Sequence, residues 1–457
     1  TLNENLAGSP VDLDGNILAV MISVAGTGGV AVNGVFSGNV IANEVRTEID
    51  NATVYATGGT PVEISFSPAT TVEISADTID LGADHGFRTG DAVVYSSGGG
   101  AVIGGLSDGA TYYVIEDESD SNKIRLAASA KEAWEGNAVD LAIGASGTDH
   151  SLTRTNDNIL LNARSKAGIV AITVGVAGSG AVAVNATGFG NAIANTVGSS
   201  IQNNANVQAD GLLDLTATDS STVRSLGISV AGSTVGIGAL IGANVITNTV
   251  VSEITDAAVQ TGSTLNLTAE SRAEILGFTG GVAMGAGAGL LSLSANVVTN
   301  TTRAAITDGS DVDAVGTVSL SAKDTSSIDA LAIGVSAGGG AVGVALGANV
   351  ITNTVETGIN GSTVDVTGGG LTLLSESSAI IRSLSMGVSA GGFAVQVSVL
   401  GNIIVNTVTS LISDSTVYAY DDISVTARDI APSIIPEWIL PSDDQDKLDT
   451  LLGDTPM

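Results

Sequence analysis

A nine-residue stretch, GANVITNTV, occurs at residues 242–250 and again at 347–355. It belongs to a longer series. The first Asn of the motif falls at Asn39, Asn191, Asn244, Asn296, Asn349 and Asn402, and the last four steps are 53, 52, 53 and 53 residues. A second column agrees: LDLTA, LNLTA, VSLSA and ISVTA end at Ala217, Ala269, Ala322 and Ala427. A fixed period of this size constrains the fold more than any other feature, because stacked equivalents must share one local structure. The first Asn step, 152 residues, is one repeat plus about 99 extra residues, which marks an insertion.

Within a repeat the pattern alternates with a period of two, the signature of β-strands. Leu331, Ile333 and Val335 fall on one face, and Ala332, Gly334 and Ser336 on the other. The small face permits close approach of another sheet. Asp, Asn and Gly cluster after each Asn motif, at Ile49, Ile254, Ile306, Ile359 and Ile412, where they suit tight turns. Gly pairs mark a second turn, at residues 338–340 and 391–392. The fold class read from this is all-β: a β-solenoid, or parallel β-helix, of about six 52–53-residue repeats with one inserted small β-rich domain. Reading each repeat as two coils of about 26 residues gives roughly twelve coils and a rod of about 55 to 60 Å. Asn stacked on Asn then forms a hydrogen-bonded ladder that satisfies buried amides.

Four segments follow: a solenoid start at 1–57, the insert at 58–155, solenoid repeats at 156–429, and a Pro-containing cap or docking tail at 430–457. The insert holds both histidines and six of the fourteen aromatics. Strands are expected in DAVVYSS, TYYVIED and KIRLAA, with one short helix opened by a Ser129/Glu132 capping box. His85 and His150, each beside an Asp, read as imidazoles bonded to turn backbone, since two His without a third spaced ligand make a poor metal site.

Fifteen basic against 47 acidic residues give a formal charge of −32, which repels nucleic acid and anionic lipid. Cys is absent, so disulfides and thiolate metal sites play no part. The 26 uncharged residues at 330–355 have membrane-span length, yet Gly-rich β-branched alternation without aromatic belts is poor material for a spanning helix or a membrane barrel, so no membrane span is expected. Because the sequence opens at Thr1 without an apolar export segment, it reads as a mature fragment or excised piece.

Catalytic chemistry finds no foothold. Sugar-cleaving β-helices need clustered carboxylates, whereas Arg224, Arg272, Arg303 and Lys323 are scattered and the acids lie mostly at turns. No catalytic, cofactor-binding or metal residue is assigned, and the chain is read as a non-enzyme. The loop DGSDVD, Asp308 to Asp313, is the one place where Ca²⁺ is considered, with a solvated turn preferred. GGGAVIGG at 98–105 lacks the Lys and Ser/Thr of a phosphate loop.

The repeat, with NTV, AGG, AVG and AN at fixed intervals, resembles repeats of very large bacterial surface proteins, namely leukotoxin-type filamentous adhesins and, more distantly, filamentous haemagglutinin. HGFRTGDAVVY, GGLSDGATYYVI and HSLT in the insert resemble small β modules of giant bacterial surface proteins. The resemblance implies an exported, extracellular or cell-surface β-helical shaft or filament subunit that associates with itself or with neighbouring repeats. The alternative is a binding module whose insert recognises a glycan or protein through Tyr95, Tyr112, Tyr113 or Trp134.

Overall fold

A computed structural model describes residues 16–432, apart from 57–61, 83–84, 88, 118–119, 130–131, 134–135, 143–146 and 155–157. The tail at 433–457 lies outside the described residues, as do Asp84 and Trp134. Nearly all of the described chain is β, in two sheets: a sixteen-stranded parallel sheet and a seven-stranded sheet with antiparallel pairing.

The parallel sheet follows the sequence period. Asn39 pairs with Asn191, then Asn244, Asn296, Asn349 and Asn402, a column six strands deep. The hydrogen-bonded neighbour is a whole repeat away, as in Ile275 with Ile328 and Ile328 with Ile381, 53 residues each. The expected 26-residue coil is therefore wrong. One repeat fills one level, and six levels at ~4.8 Å give a height of roughly 29 Å instead of 55 to 60 Å. The error came from assuming a compact cross-section: nothing in the alternation limits strand length, and these strands are far longer than usual.

Each level is a long, flat hairpin of chain. An outbound limb such as Leu213–Gly232 runs to a tip, and a return limb such as Val235–Thr261 comes back against it. Twenty extended residues make a limb of ~66 Å. In the upper levels one 43-residue strand, Leu265–Thr307, Val318–Asn360 or Leu371–Ser413, covers both limbs, and between the last two the ladder skips only a residue at the tip, where Gly338 and Gly340 pair with Gly391 and Phe393. At the opposite, blunt end the chain turns through left-handed residues: Asn51 (φ 47°), Asp256 (φ 50°), Asp308 (φ 57°), Gly361 (φ 62°) and Asp414 (φ 50°). These are the turns read from the Asp/Asn/Gly clusters. Asn and Asp tolerate this conformation better than other side chains, which is why they recur there.

In the blunt half the limbs bury apolar side chains between them. Leu213, Leu215, Leu265 and Leu267 of the outbound limbs meet Val250, Ile254 and Val259 of the return limbs, all fully buried. Outward positions there carry Thr218, Ser220, Glu253 and Gln260, and cross-level pairs such as Arg303–Glu253 (2.9 Å) and Lys323–Glu376 (3.2 Å) decorate the surface.

The second sheet opens at Val62–Phe66 and closes at His150–Arg154, which pair with each other. The three strands read from the sequence are there, as Ala92–Ser96, Thr111–Glu116 and Lys123–Ala127. Ser129 Oγ accepts from the Glu132 N–H at 3.2 Å, half of the expected capping box. Phe66, Ile79, Phe87, Tyr95, Leu126 and Leu152 form its own core. The module docks on the large sheet: Tyr113 hydrogen-bonds Asn266 beside Asp214, and Asp214 and Thr216 are buried although Leu213 and Leu215 beside them point inward.

Candidate functional site

The insert does not assemble its candidates. His150 is fully buried with Nδ1 2.8 Å from Tyr95 Oη, and its ring lies against Phe66 and Tyr95. His85 accepts from the Phe87 N–H through Nδ1 (3.1 Å), so its Nε2–H donates to Ser121 O (3.0 Å). The His85 imidazole fastens turn backbone as expected, whereas His150 ties a side chain. Tyr95 is wholly inside, its hydroxyl accepting from Ile103 N–H at 3.0 Å. Tyr112 is buried and accepts from Ser107 N–H at 2.8 Å. Tyr113 faces the large sheet, and burial pushes its hydroxyl up to about 12, with the Asp214 carboxylate adding to the shift. Three of the four aromatics named for sugar stacking are therefore committed to packing.

At the blunt end Asp308 and Gly309 form a left-handed turn, while Asp311 and Asp313 point outward around buried Val312. Among the described residues no three His, Cys, Asp or Glu side chains converge on a common point. An open depression of about 470 Å³ nearby is lined by Gln208, Asp210, Gln260 and Asp313, so it offers amide donors and carboxylate acceptors.

What the fold does concentrate is a polar spine between the limbs. The first Asn column is a continuous ladder: Asn39 Nδ2 donates to Asn191 Oδ1 (2.7 Å), Asn191 to Asn244 (2.8 Å), Asn244 to Asn296 (2.8 Å), Asn296 to Asn349 (2.8 Å) and Asn349 to Asn402 (2.9 Å). The second Asn column uses its oxygens differently. Asn248, Asn300 and Asn353 Oδ1 accept the backbone N–H of the Asn one level below at 3.1 to 3.2 Å. Their Nδ2 groups turn to buried carboxylates: Asn195 and Asn248 both donate to Asp219 (2.8 and 2.7 Å), and Asn300 and Asn353 to Asp324. Asp219 and Asp324 share a column with Ser165, Ser271 and Ser377, so acid and hydroxyl alternate level by level. Burial pushes the Asp324 carboxyl up to about 6 and raises Asp219 too, against the pull of these donors. The Asn ladder was legible from the doubled motif. The buried acids were missed, although Asp-x-Ser in DSS and DTS at matching phase carried the signal.

Toward the tip the side-chain sorting reverses. Inner positions carry Gly175, Gly227, Ser229, Gly281 and Gly334, with Asn185 Nδ2 donating to Ser229 Oγ at 2.8 Å and to Gly175 O at 2.8 Å. A few bulky inner groups fill the space these glycines leave. A Cβ on Gly227 would lie 2.6 Å from Phe189, and one on Gly281 2.7 Å from Leu290. Thr279 and Ser292 hydroxyls are buried there without a protein partner. Outward positions are apolar at every level. On the outbound limb Val24, Val176, Val230, Val282, Val335 and Val388 form one column; on the return limb Val32, Val184, Ile237, Gly289, Val342 and Val395 form another. Ile237 is 46% exposed and Phe393 64%. The uncharged runs at 225–252, 275–302, 330–355 and 383–413 all pass through this half, and their last residues, such as Val250 and Val355, reach the blunt core. Such runs, once per repeat, are visible in the sequence, but their two-residue period does not place them relative to solvent. The small face does meet the opposing limb, as expected, which leaves the large face outside.

No family model matches the chain, and neither a curated protein nor a solved structure matches it. No helix is long and apolar enough to cross a membrane.

Proposed function

We propose that the chain is a structural β-solenoid, a shaft or filament-forming segment of an extracellular bacterial surface protein, and that its activity is to extend and self-associate. The observation that carries this reading is the polarity of the Asn ladder at its two ends. Every Nδ2 donates upward, so among the described residues Asn39 presents an unused Oδ1 on the lowest level and Asn402 an unused Nδ2 on the highest. Among the described residues the edge strands Ile17–Thr27 and Val30–Ile41 have a hydrogen-bonded neighbour on one side only, and so does the later part of Leu371–Ser413. Two such edges of opposite polarity and one register are complementary, and stacking one level on the next extends both backbone and amide ladders.

Negative-stain electron microscopy over a concentration series tests it, on the full chain and on Ser398→Lys, which places an inward-pointing charge on the top edge strand. Fibres that lengthen with concentration and disappear in the variant are expected. Isolated particles of roughly 29 Å height at every concentration would sink the filament reading.

A further inference from the structure

The inverted tip half calls for a partner independently of end-to-end growth. We propose that the outer face of the return limbs in this half is a lateral interface that pairs with the same face of a second copy of the chain. The face spans six columns, from that of Val30 to that of Val40, over six levels, and every residue in it is apolar. Its footprint is roughly 33 Å by 29 Å, or ~950 Å². A standard stable interface buries about 800 Å² per partner, and monomers rarely expose an apolar patch of this size.

Three observations select a second copy as occupant. The face is ruled at the level spacing, so its ridges match those of an identical face turned over by a two-fold axis. Charge selects the arrangement: charged residues lie toward the blunt end, the nearest outbound column being Arg224, Asp329 and Arg382, where Arg382 holds Asp329 through two bonds of 2.6 and 2.7 Å. Two copies overlapped tip-on-tip with blunt ends pointing apart bury the uncharged halves and keep their acidic halves distant. A bilayer is disfavoured as occupant, because the open edges at Val30–Ile41 and at Phe393 to Ile403 would sit unpaired in hydrocarbon, where backbone groups find no water. In a face-to-face pair those edges stay at the wet rim.

The experiment is sedimentation velocity on the full chain over a wide concentration range, beside Ile237→Glu with Val342→Glu and beside Asn39→Leu. Both glutamates point outward, so the melting temperature is expected to stay unchanged. The wild type associates, the double variant does so at least about a hundredfold more weakly because it buries unpaired charge, and Asn39→Leu loses end-to-end growth while keeping the lateral pair. A double variant that associates as tightly as the wild type, or an Asn39→Leu chain that stays monomeric, overturns the proposal without touching the filament reading, whereas a wild type that stays monomeric overturns both. Wild type that floats with phosphatidylcholine vesicles and pairs only there would make lipid the occupant. Association by a chain ending at residue 432, but not by the full chain, would make the C-terminal segment the occupant. Either result overturns the proposal as well.

Discussion

The blunt and tip halves of each level share one backbone ladder and sort their side chains in opposite ways. In the blunt half Leu215, Leu267 and Ile254 are inside, with Thr218 and Glu253 outside; near the tip Gly227, Ser229 and Gly281 are inside, with Ile228 and Ile237 outside. Strand formation is thus indifferent to which face is apolar. What holds a level in register is the backbone pairing along its whole length together with identical columns, and the hydrophobic effect anchors only the half where it works inward. The tip half instead gains close approach of its two limbs, interlocked by Phe189 and Leu290 over glycines.

The largest effect expected from breaking this comparison is on stability. Leu267→Ala deletes a fully buried side chain of the blunt core and is expected to cost about 2–5 kcal/mol. Leu291→Ala, outward at the tip and 37% exposed, should move the stability of the isolated chain by no more than about 0.5 kcal/mol. Urea unfolding of the two variants at low concentration measures both. Equal costs would mean that the tip half is not inverted in solution.

A smaller effect runs the other way through the interior. Gly281→Val adds a branched side chain where a Cβ alone would already meet Leu290 at 2.7 Å, so a loss of about 1–3 kcal/mol is expected. The same change at Gly289, outward on the return limb with open space around its Cβ, should be close to neutral or slightly favourable in an extended strand. If thermal melts rank these two in the reverse order, the assignment of faces fails.

The alternation of Leu331, Ile333 and Val335 with small residues was enough to read extended strands, and the doubled GANVITNTV was enough to read a stacked Asn ladder, because both depend only on local period and on repetition. Neither gives the length of a level. A two-residue period continues unchanged whether the chain turns after ten residues or after forty, so the 53-residue level was misread as two coils. The same period is silent on which face is inward. The usual assumption puts large residues inside, and Leu331 and Ile333 stand outside because the interior beside their small neighbours Ala332 and Gly334 is already filled, a Cβ on Gly334 lying 3.2 Å from Leu290. For the insert, His85 bonds turn backbone as read from the sequence whereas His150 bonds the Tyr95 hydroxyl, and the Asp219 and Asp324 sites needed the register, since only the ladder brings Asn300 and Asn353 onto one carboxylate.

Those carboxylates supply the smallest and most local test. Burial raises Asp324 from 3.8 to about 6, so the native chain holds its proton more tightly than the unfolded chain does. For an acid raised in this way the folded state is penalised once the group ionises: stability is lost as pH rises through about 6 and regained as pH falls toward the unfolded value near 4. Between pH 7 and pH 5 each such group should add about 1 kcal/mol, and Asp219, raised for the same reason, acts in the same direction. Asp324→Ser places in that column the residue that Ser271 and Ser377 already supply there, and should remove one proton from the pH slope of urea-determined stability whatever it does to the absolute value. The tip runs at 225–252 and 330–355 hold no charged residue, so hydrogen-exchange protection gained on acidification should centre on the spine and the blunt half. A slope that survives Asp324→Ser unchanged would mean that the buried acid is not the group that titrates. Protection rising equally at Val230 and Val335 would mean that the two halves unfold as one unit, and the opposite sorting of their side chains would then have no energetic boundary between them.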